Sequence, residues 1–288
     1  MAGTLFLVAT PIGNLGDVTL RALDTLRAVA LVAAEDTRHT RALLTHFGIK
    51  KPLVAHDAHA SDRDVERLLE RLGAGEDVAL VTDAGTPGVS DPGAKLVRAA
   101  HEAAIRVVPI PGVSAVTAAV AVSGLVDGPF VFLGFPPRQG RKRRAFFDRV
   151  FASEEPVILF EAPHRAERTL AELAEREPER RAVLCRELTK IHEDVRRGSL
   201  AELAANAADL RGEITLVVAG APERARSLEA PSDLDELDGT IRTLLRAGET
   251  PRDIVATLAT SAPLAKRDLY RRVAELAREE RAESSEHE

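Results

Sequence analysis

Residues Val78–Gly93 read VALVTDAGTPGVSDPG. The run Val78-Ala79-Leu80-Val81 is apolar and partly β-branched, and it gives way to Asp83 and a loop of glycine and proline. An apolar run bounded in this way predicts a buried strand. Open α/β sheets bind ligands outside the carboxyl ends of their strands. Gly85, Gly88 and Gly93 let the backbone approach such a ligand, and Pro87 and Pro92 hold the loop in one shape. The loop is therefore expected to offer backbone N–H and C=O groups to a small molecule.

The same rhythm runs outward on both sides. Thr4–Ala9, Leu31–Ala34 and Arg106–Ile110 read as further strands. Helices are expected over Thr19–Ala28, from Thr40 to Gly48, over Asp62–Leu72, over Ala94–Ala104, and from an N-cap at Ser114 to near Gly124. Strands alternating with helices predict a largely parallel sheet. Asp127-Gly128-Pro129 marks the first boundary. Beyond it, Phe130–Gly134, Val157–Phe160, Ala182–Leu188 and Ile214–Ala219 read as strands, with helices over Arg165–Arg176 and Leu200–Ala208. The tight turn at Gly212-Glu213 predicts antiparallel pairing in this half. A polar linker, Ala221–Ser232, leads to three short helices over Leu234–Leu245, Pro251–Thr260 and Lys266–Ala277, the second announced by Thr250-Pro251. The last stretch, Glu275–Glu288, is acidic and expected to fray. The reading is an α/β protein with a first domain over 1–126, a second over 127–221 and a helical extension over 232–288.

Composition narrows the chemistry. The chain has 288 residues, 45% of them apolar, enough for a substantial core. One cysteine, Cys185, rules out a disulfide framework and fits a reducing cytoplasm. No signal peptide or membrane span is apparent. The net charge of −6 argues mildly against nucleic acid, but the distribution argues for it. Arg138–Arg149 carries six positive residues and one negative. Arg138, Arg141, Lys142, Arg143 and Arg144, with Phe146 and Phe147 alongside, fit a phosphate-contacting surface.

Other clusters leave alternatives open. Pro11–Asp17 has two glycines but neither G-K-[ST] nor G-x-G-x-x-G, so it is a phosphate cradle or an ordinary turn. Glu35–Thr40 reads as helix capping, or as a polar wall in which Asp36 or His39 handles a proton. His56, Asp57 and His59 lack a third convergent ligand, so solvated loop residues are expected and no metal. Glu161 with Arg186, or Glu187 with Arg165, can form ion pairs or a substrate wall. Lys266, Arg267, Arg271 and Arg272 suit either an RNA-contacting module or a dimer or domain cap.

Taken in order, these segments resemble one family. They are TPIGNLGD (10–17), AEDTRHT (34–40), DAGTP (83–87) with SDPG (90–93), PGVSA (111–115), EAPHR (161–165), RELTK (186–190) and Gly212-Glu213. The array is similar to the tetrapyrrole-methylase superfamily and, through AEDTRHT and RELTK, to its ribosomal RNA small subunit methyltransferase I branch. The likeness implies two α/β domains of the tetrapyrrole-methylase type with a cleft for S-adenosylmethionine, plus a small helical module. It implies 2′-O-methylation of a cytidine in 16S rRNA near the decoding centre, by a cytoplasmic homodimer. Carried over by position, the cofactor residues are Pro11, Gly13, Asp83, Ala84, Gly85, Pro87, Pro111, Gly112, Ser114, Ala115, Phe160, Glu161 and Glu213. Asp36, His39, Glu187 and Lys190 are expected on the acceptor side. Where the family pattern is H-x-H-N-E, this chain has His59-Ala60-Ser61, so no Asn-Glu role carries over. The competing readings are a corrin-precursor methyltransferase and a non-catalytic ribosome-assembly factor.

Overall fold

The computed structural model describes residues 2–208, 210–221, 234–246, 249–258, 262 and 264–285. Two compact units divide the chain, Met1–Pro222 and Glu223–Glu288. The first unit holds two five-stranded sheets.

In the first sheet β1 (Thr4–Val8), β2 (Leu31–Ala34), β3 (Leu53–Ala55), β4 (Val78–Val81) and β5 (Arg106–Ile110) run in the order β3-β2-β4-β1-β5. Every pairing is parallel. The opening run is the central strand, β4, and all four of its residues are buried. Ala79 and Val81 face a core built with Leu23 and Leu26 of α1 (Leu20–Ala28) and Leu44 of α2 (Thr37–His46). Val78 and Leu80 face Leu68 and Leu72 of α3 (Asp62–Gly73) and Leu96 of α4 (Ala94–Glu102). Helices on both faces explain why β4 is apolar throughout rather than alternating. Each fully buried Val or Leu side chain contributes about 1.5–3 kcal/mol. Because the strands are parallel, the loops after β1, β2, β4 and β5 all emerge at one edge.

The second sheet orders β6 (Val131–Gly134), β7 (Val157–Glu161), β10 (Ile214–Val218), β8 (Arg181–Arg186) and β9 (Asp194–Ser199) as β6-β7-β10-β8-β9. β10 runs antiparallel to β7 and β8, as the Gly212-Glu213 turn predicts, while β6 and β7 are parallel. Ile214 stands opposite both Glu161 and Arg186. The ends of β6, β7 and β8 and the start of β10 therefore meet at one edge. One face is covered by α6 (Gly140–Ala152), α7 (Pro163–Arg176) and α8 (Leu200–Ala205). The other receives α5 (Ala115–Ser123), whose Val116 and Ala119 pack with Ile158, Val183, Cys185 and Val217. A helix as apolar as AVTAAVAVS is suited to burial between two layers.

Several expectations need correction. β3 and β9 are two further strands: β3 has only three residues and β9, DVRRGS, is charged, so neither carries the apolar run that marks the other edge strands, β5 and β6. His56 is buried, not solvated, with burial holding its imidazole below the ordinary value. Phe146 and Phe147 point into the core of the second half and present no face to RNA. The ion pairs differ from both expected ones: Glu161 pairs locally with Arg165 and Glu187 with Lys190, while Arg186 pairs across the β8–β9 ladder with Asp194. Cys185 is an inert core thiol, pushed up to about 11 by burial.

The second unit contains α9 (Leu234–Arg246), α10 (Pro251–Leu258) and α11 (Lys266–Ser285) around Leu237, Ile241, Ile254, Leu258, Leu269, Val273 and Leu276. α11 continues past Ala277, where fraying was expected, because its Arg and Glu residues are good helix formers. The expected linker, apart from Ala221, falls outside the described residues.

Candidate active site

The edge of the first sheet is tied together by backbone. Thr10 and Gly85 exchange N–H···O bonds of 2.9 and 3.0 Å, joining the loops after β1 and β4. The Thr10 hydroxyl donates to the Thr82 carbonyl, and the Thr86 hydroxyl to the Val113 carbonyl. Gly85 has φ +90°, a conformation that favours glycine. A Cβ on Gly112 would lie 2.9 Å from the Ala9 Cβ, so that loop needs a glycine for close approach.

Two cavities adjoin at this edge, sharing Ile12, Ala84 and Glu213. The smaller, about 240 Å³, lies between the two sheet edges. Its walls include Gly85, Thr86, Val89, Asp91, Ser114, Ala115, Phe135 and Phe160. Three carboxylates line it, on Asp91, Glu161 and Glu213, and no basic side chain does so among the described residues. Such a lining repels phosphate and suits a cation. The larger cavity, about 560 Å³, is lined by Pro11, Gly13, Leu15, His39, His46, Asp83 and Lys190.

The carboxylates are not equivalent. Glu161 is spent on structure: it accepts from the Ala162 N–H, the Thr169 hydroxyl and Arg165. Asp91 is pushed from the ordinary 3.8 up to about 6 by burial, with Glu35 and Asp83 adding and a Thr82 hydrogen bond opposing. Burial also raises Asp83, although it accepts from the Asp36 N–H at 3.0 Å. Asp36 is held well below the carboxylate range by the Arg38 guanidinium and caps α2 through the Arg38 N–H. Neither Asp36 nor Glu187 lines either of these two cavities.

Lys190 is presented by a tight knot. Its ammonium sits 2.9 Å from Glu187 Oε1 and 3.2 Å from Glu213 Oε2. Burial alone would lower it, but these partners outweigh that and hold it above its ordinary value. Glu187 Oε1 also accepts from the Glu213 N–H, and the Glu187 N–H donates to the Glu213 carbonyl. A Cβ on Gly212, which has φ +84°, would lie 2.2 Å from the Glu187 carboxyl carbon. A Cβ on Gly13 would lie 2.3 Å from Lys190 Cγ. Both glycines make room for this knot.

Of the residues expected to hold a cofactor, Ala84, Gly85, Ser114, Ala115, Phe160, Glu161 and Glu213 line the smaller cavity. Pro11, Gly13 and Asp83 line the larger one, and Pro87, Pro111 and Gly112 line neither. Ser114 stands at the N-cap position of α5 without a side-chain cap bond. Asp91 and Phe135 were missed as site residues. Their signals were a carboxylate inside the SDPG turn, and an aromatic residue beside Pro136-Pro137 at a strand end. In the basic run, Arg138, Arg141, Lys142 and Arg144 are exposed, but Arg143 is 4% exposed and bonded to Glu172, Thr169 and the Pro137 carbonyl. It cannot reach phosphate.

Known proteins bear on this geometry. Residues 4–204 match the model of the tetrapyrrole (corrin/porphyrin) methylases. "Ribosomal RNA small subunit methyltransferase I" of Synechocystis sp. is 45% identical over 278 residues, covering 95% of this chain and 98% of that protein. The protein of the same name from Pseudomonas aeruginosa is 50% identical over 236 residues, covering 80% and 84%. Among solved structures, a diphthine synthase aligns with TM-score 0.59 at 18% identity, covering 75% of this chain and 90% of that one. A uroporphyrin-III C-methyl transferase from Thermus thermophilus, complexed with S-adenyl homocysteine, aligns with TM-score 0.53 at 19% identity, covering 75% and 97%. Those two share the fold. The chain belongs to the tetrapyrrole methylase family, in its ribosomal RNA small subunit methyltransferase I branch.

Proposed function

We propose that the chain uses S-adenosylmethionine to methylate the ribose 2′-hydroxyl of a cytidine in 16S rRNA near the decoding centre. The observation that carries this is the division of charge between two adjoining cavities. The smaller is lined by carboxylates and apolar walls with no basic side chain among the described residues, and the larger sets Lys190, His39 and His46 beside Asp83 and Glu213. The first suits a sulfonium with its adenosine, and the second suits a polyanion's sugar.

S-adenosylmethionine supplies an electrophilic methyl carbon on a cationic sulfur. With the cofactor bound, Asp91 would balance that cation, and the Phe135 and Phe160 rings would offer its adenine an apolar wall. The shared wall of Ile12 and Ala84 excludes water where the cavities meet. Methyl transfer is an in-line displacement, so alignment of donor and acceptor carries most of the catalysis. Lys190, kept charged by Glu187 and Glu213, polarises the ribose hydroxyl. His39 takes the hydroxyl proton. Glu187 and Asp36 are held ionised by their own partners, which makes them positioning groups rather than bases.

The reading includes a homodimer, a division at 126/127 between the two α/β halves, and the exposed face of α6 as an RNA contact. Replacing Arg141 and Arg144 by Glu is expected to weaken 16S rRNA binding and reduce its salt slope by roughly two, with S-adenosylmethionine affinity unchanged. An unchanged slope, measured by filter binding across salt, removes α6 from the interface. For the function itself, labelled S-adenosylmethionine is offered with naked 16S rRNA, 30S particles or a tetrapyrrole. Label is expected in RNA. Label in the tetrapyrrole alone supports the corrin reading, and binding of the cofactor with no transfer supports an assembly factor.

A further inference from the structure

Arg143 is the buried member of an otherwise exposed basic run, and each nitrogen of its guanidinium has a partner. Nε donates to Glu172 Oε2 at 2.7 Å, Nη2 to the Thr169 hydroxyl at 2.8 Å and Nη1 to the Pro137 carbonyl at 3.0 Å. The group also lies over the Phe147 ring, 4.7 Å from its centroid. Arg165 reaches the adjacent carbonyl, Pro136, at 3.0 Å and donates to Glu161 Oε1 at 2.7 Å. The Thr169 hydroxyl donates to Glu161 Oε2 at 2.5 Å, joining the two guanidiniums into one network. Two successive peptide carbonyls are thus gripped from inside the protein.

The residue just before them is Phe135. It is 52% exposed, lines the smaller cavity, and packs with its ring centroid 5.4 Å from that of Phe160. A half-exposed aromatic ring on an irregular segment has few contacts to hold it, so its backbone must be held instead. Proline at both gripped positions leaves the backbone without N–H donors there, so the carbonyls are the available handles.

We propose that Arg143 and Arg165 are positioning residues that set the Phe135 rim of the smaller cavity through the Pro136 and Pro137 carbonyls. The placement of the rim stands on this geometry. Its consequence for S-adenosylmethionine rests on the function proposed above. A lysine in either position keeps the charge but cannot span carbonyl and carboxylate together.

The full chain contains no tryptophan, so Phe135→Trp is a lone reporter of the rim. In the free protein, adding Arg165→Lys or Arg143→Lys is expected to raise acrylamide quenching of the introduced indole about two-fold or more. In the Phe135 background, the same arginine variants are expected to raise the S-adenosylmethionine KM roughly tenfold, with kcat changed by less than about two-fold. Arg143→Met is expected to leave the salt slope of RNA binding unchanged, whereas loss of a phosphate contact lowers it by about one. If Arg143→Lys fails to fold, as shown by its melt, Arg165→Lys decides. A reporter no more accessible in the folded double variants than in Phe135→Trp alone overturns the proposal. Failure of all methyl transfer would overturn the proposed function instead, and the cofactor-free reporter would still decide this point.

Discussion

Lys190→Met is expected to lower kcat by about 10²–10³-fold, the usual loss when one preorganised donor to a reacting oxygen is removed, while S-adenosylmethionine affinity changes little. Lys190 lines the larger cavity only, so its loss should fall on the acceptor. The chain goes to unusual lengths to place this ammonium. Glu187 and Thr189 have φ of +52° and +69°, a region where non-glycine residues are held at a cost of about 1–3 kcal/mol each. The Glu187–Glu213 backbone and side-chain bonds hold that geometry. Gly13→Ala should reproduce much of the defect, because its Cβ would occupy the volume of the Lys190 stem. Steady-state kinetics of both variants check this. A Lys190→Met enzyme within about threefold of the parent kcat would remove Lys190 from the reaction.

Asp91→Asn is expected to weaken S-adenosylmethionine binding roughly 30-fold or more, the consequence of losing about 2–5 kcal/mol with one partner of a desolvated charge pair. The same change should stabilise the free protein at neutral pH. Burial raises Asp91 from 3.8 to about 6, so the native state holds its proton more tightly than the unfolded chain. Stability from this group is therefore full below 3.8 and is lost as pH rises through about 6. Asparagine removes the buried charge, and a rise in Tm of roughly 2–4 °C is expected at pH 7.5 for each kcal/mol relieved. Cofactor affinity of the parent should fall as pH drops below about 6, while that of Asp91→Asn stays flat. Calorimetric titration and thermal melts across pH read both effects. A variant that binds normally, or one that melts lower, contradicts this account of Asp91.

The first sheet was legible because its strands are buried on both faces, and burial writes itself into runs such as VALV. β3 has only three residues and β9 is charged, so their sequences carry no such run. Loop residues were legible as a set through glycine and proline, but their division between two cavities was not. Gly13 and Asp83 sit one wall away from Gly85 and Ser114, a distinction that spacing does not encode. Charge runs misled in one respect. Arg141–Arg144 reads as an unbroken phosphate-contacting run, yet helical geometry turns Arg143 inward and leaves its neighbours outside. The partners of Glu161 and Glu187 were missed because both pairs close locally, at i,i+4 and i,i+3, rather than across the sheet.

The most direct test of the central claim is to identify the methylated nucleoside. The protein is incubated with 30S particles and S-adenosylmethionine carrying a labelled methyl group, and the rRNA is digested to nucleosides and resolved by mass spectrometry. The proposed function predicts label in 2′-O-methylcytidine, its formation slowed about 10²–10³-fold in Lys190→Met. Label on a base carbon or nitrogen, or none in RNA while a tetrapyrrole is methylated, would contradict it.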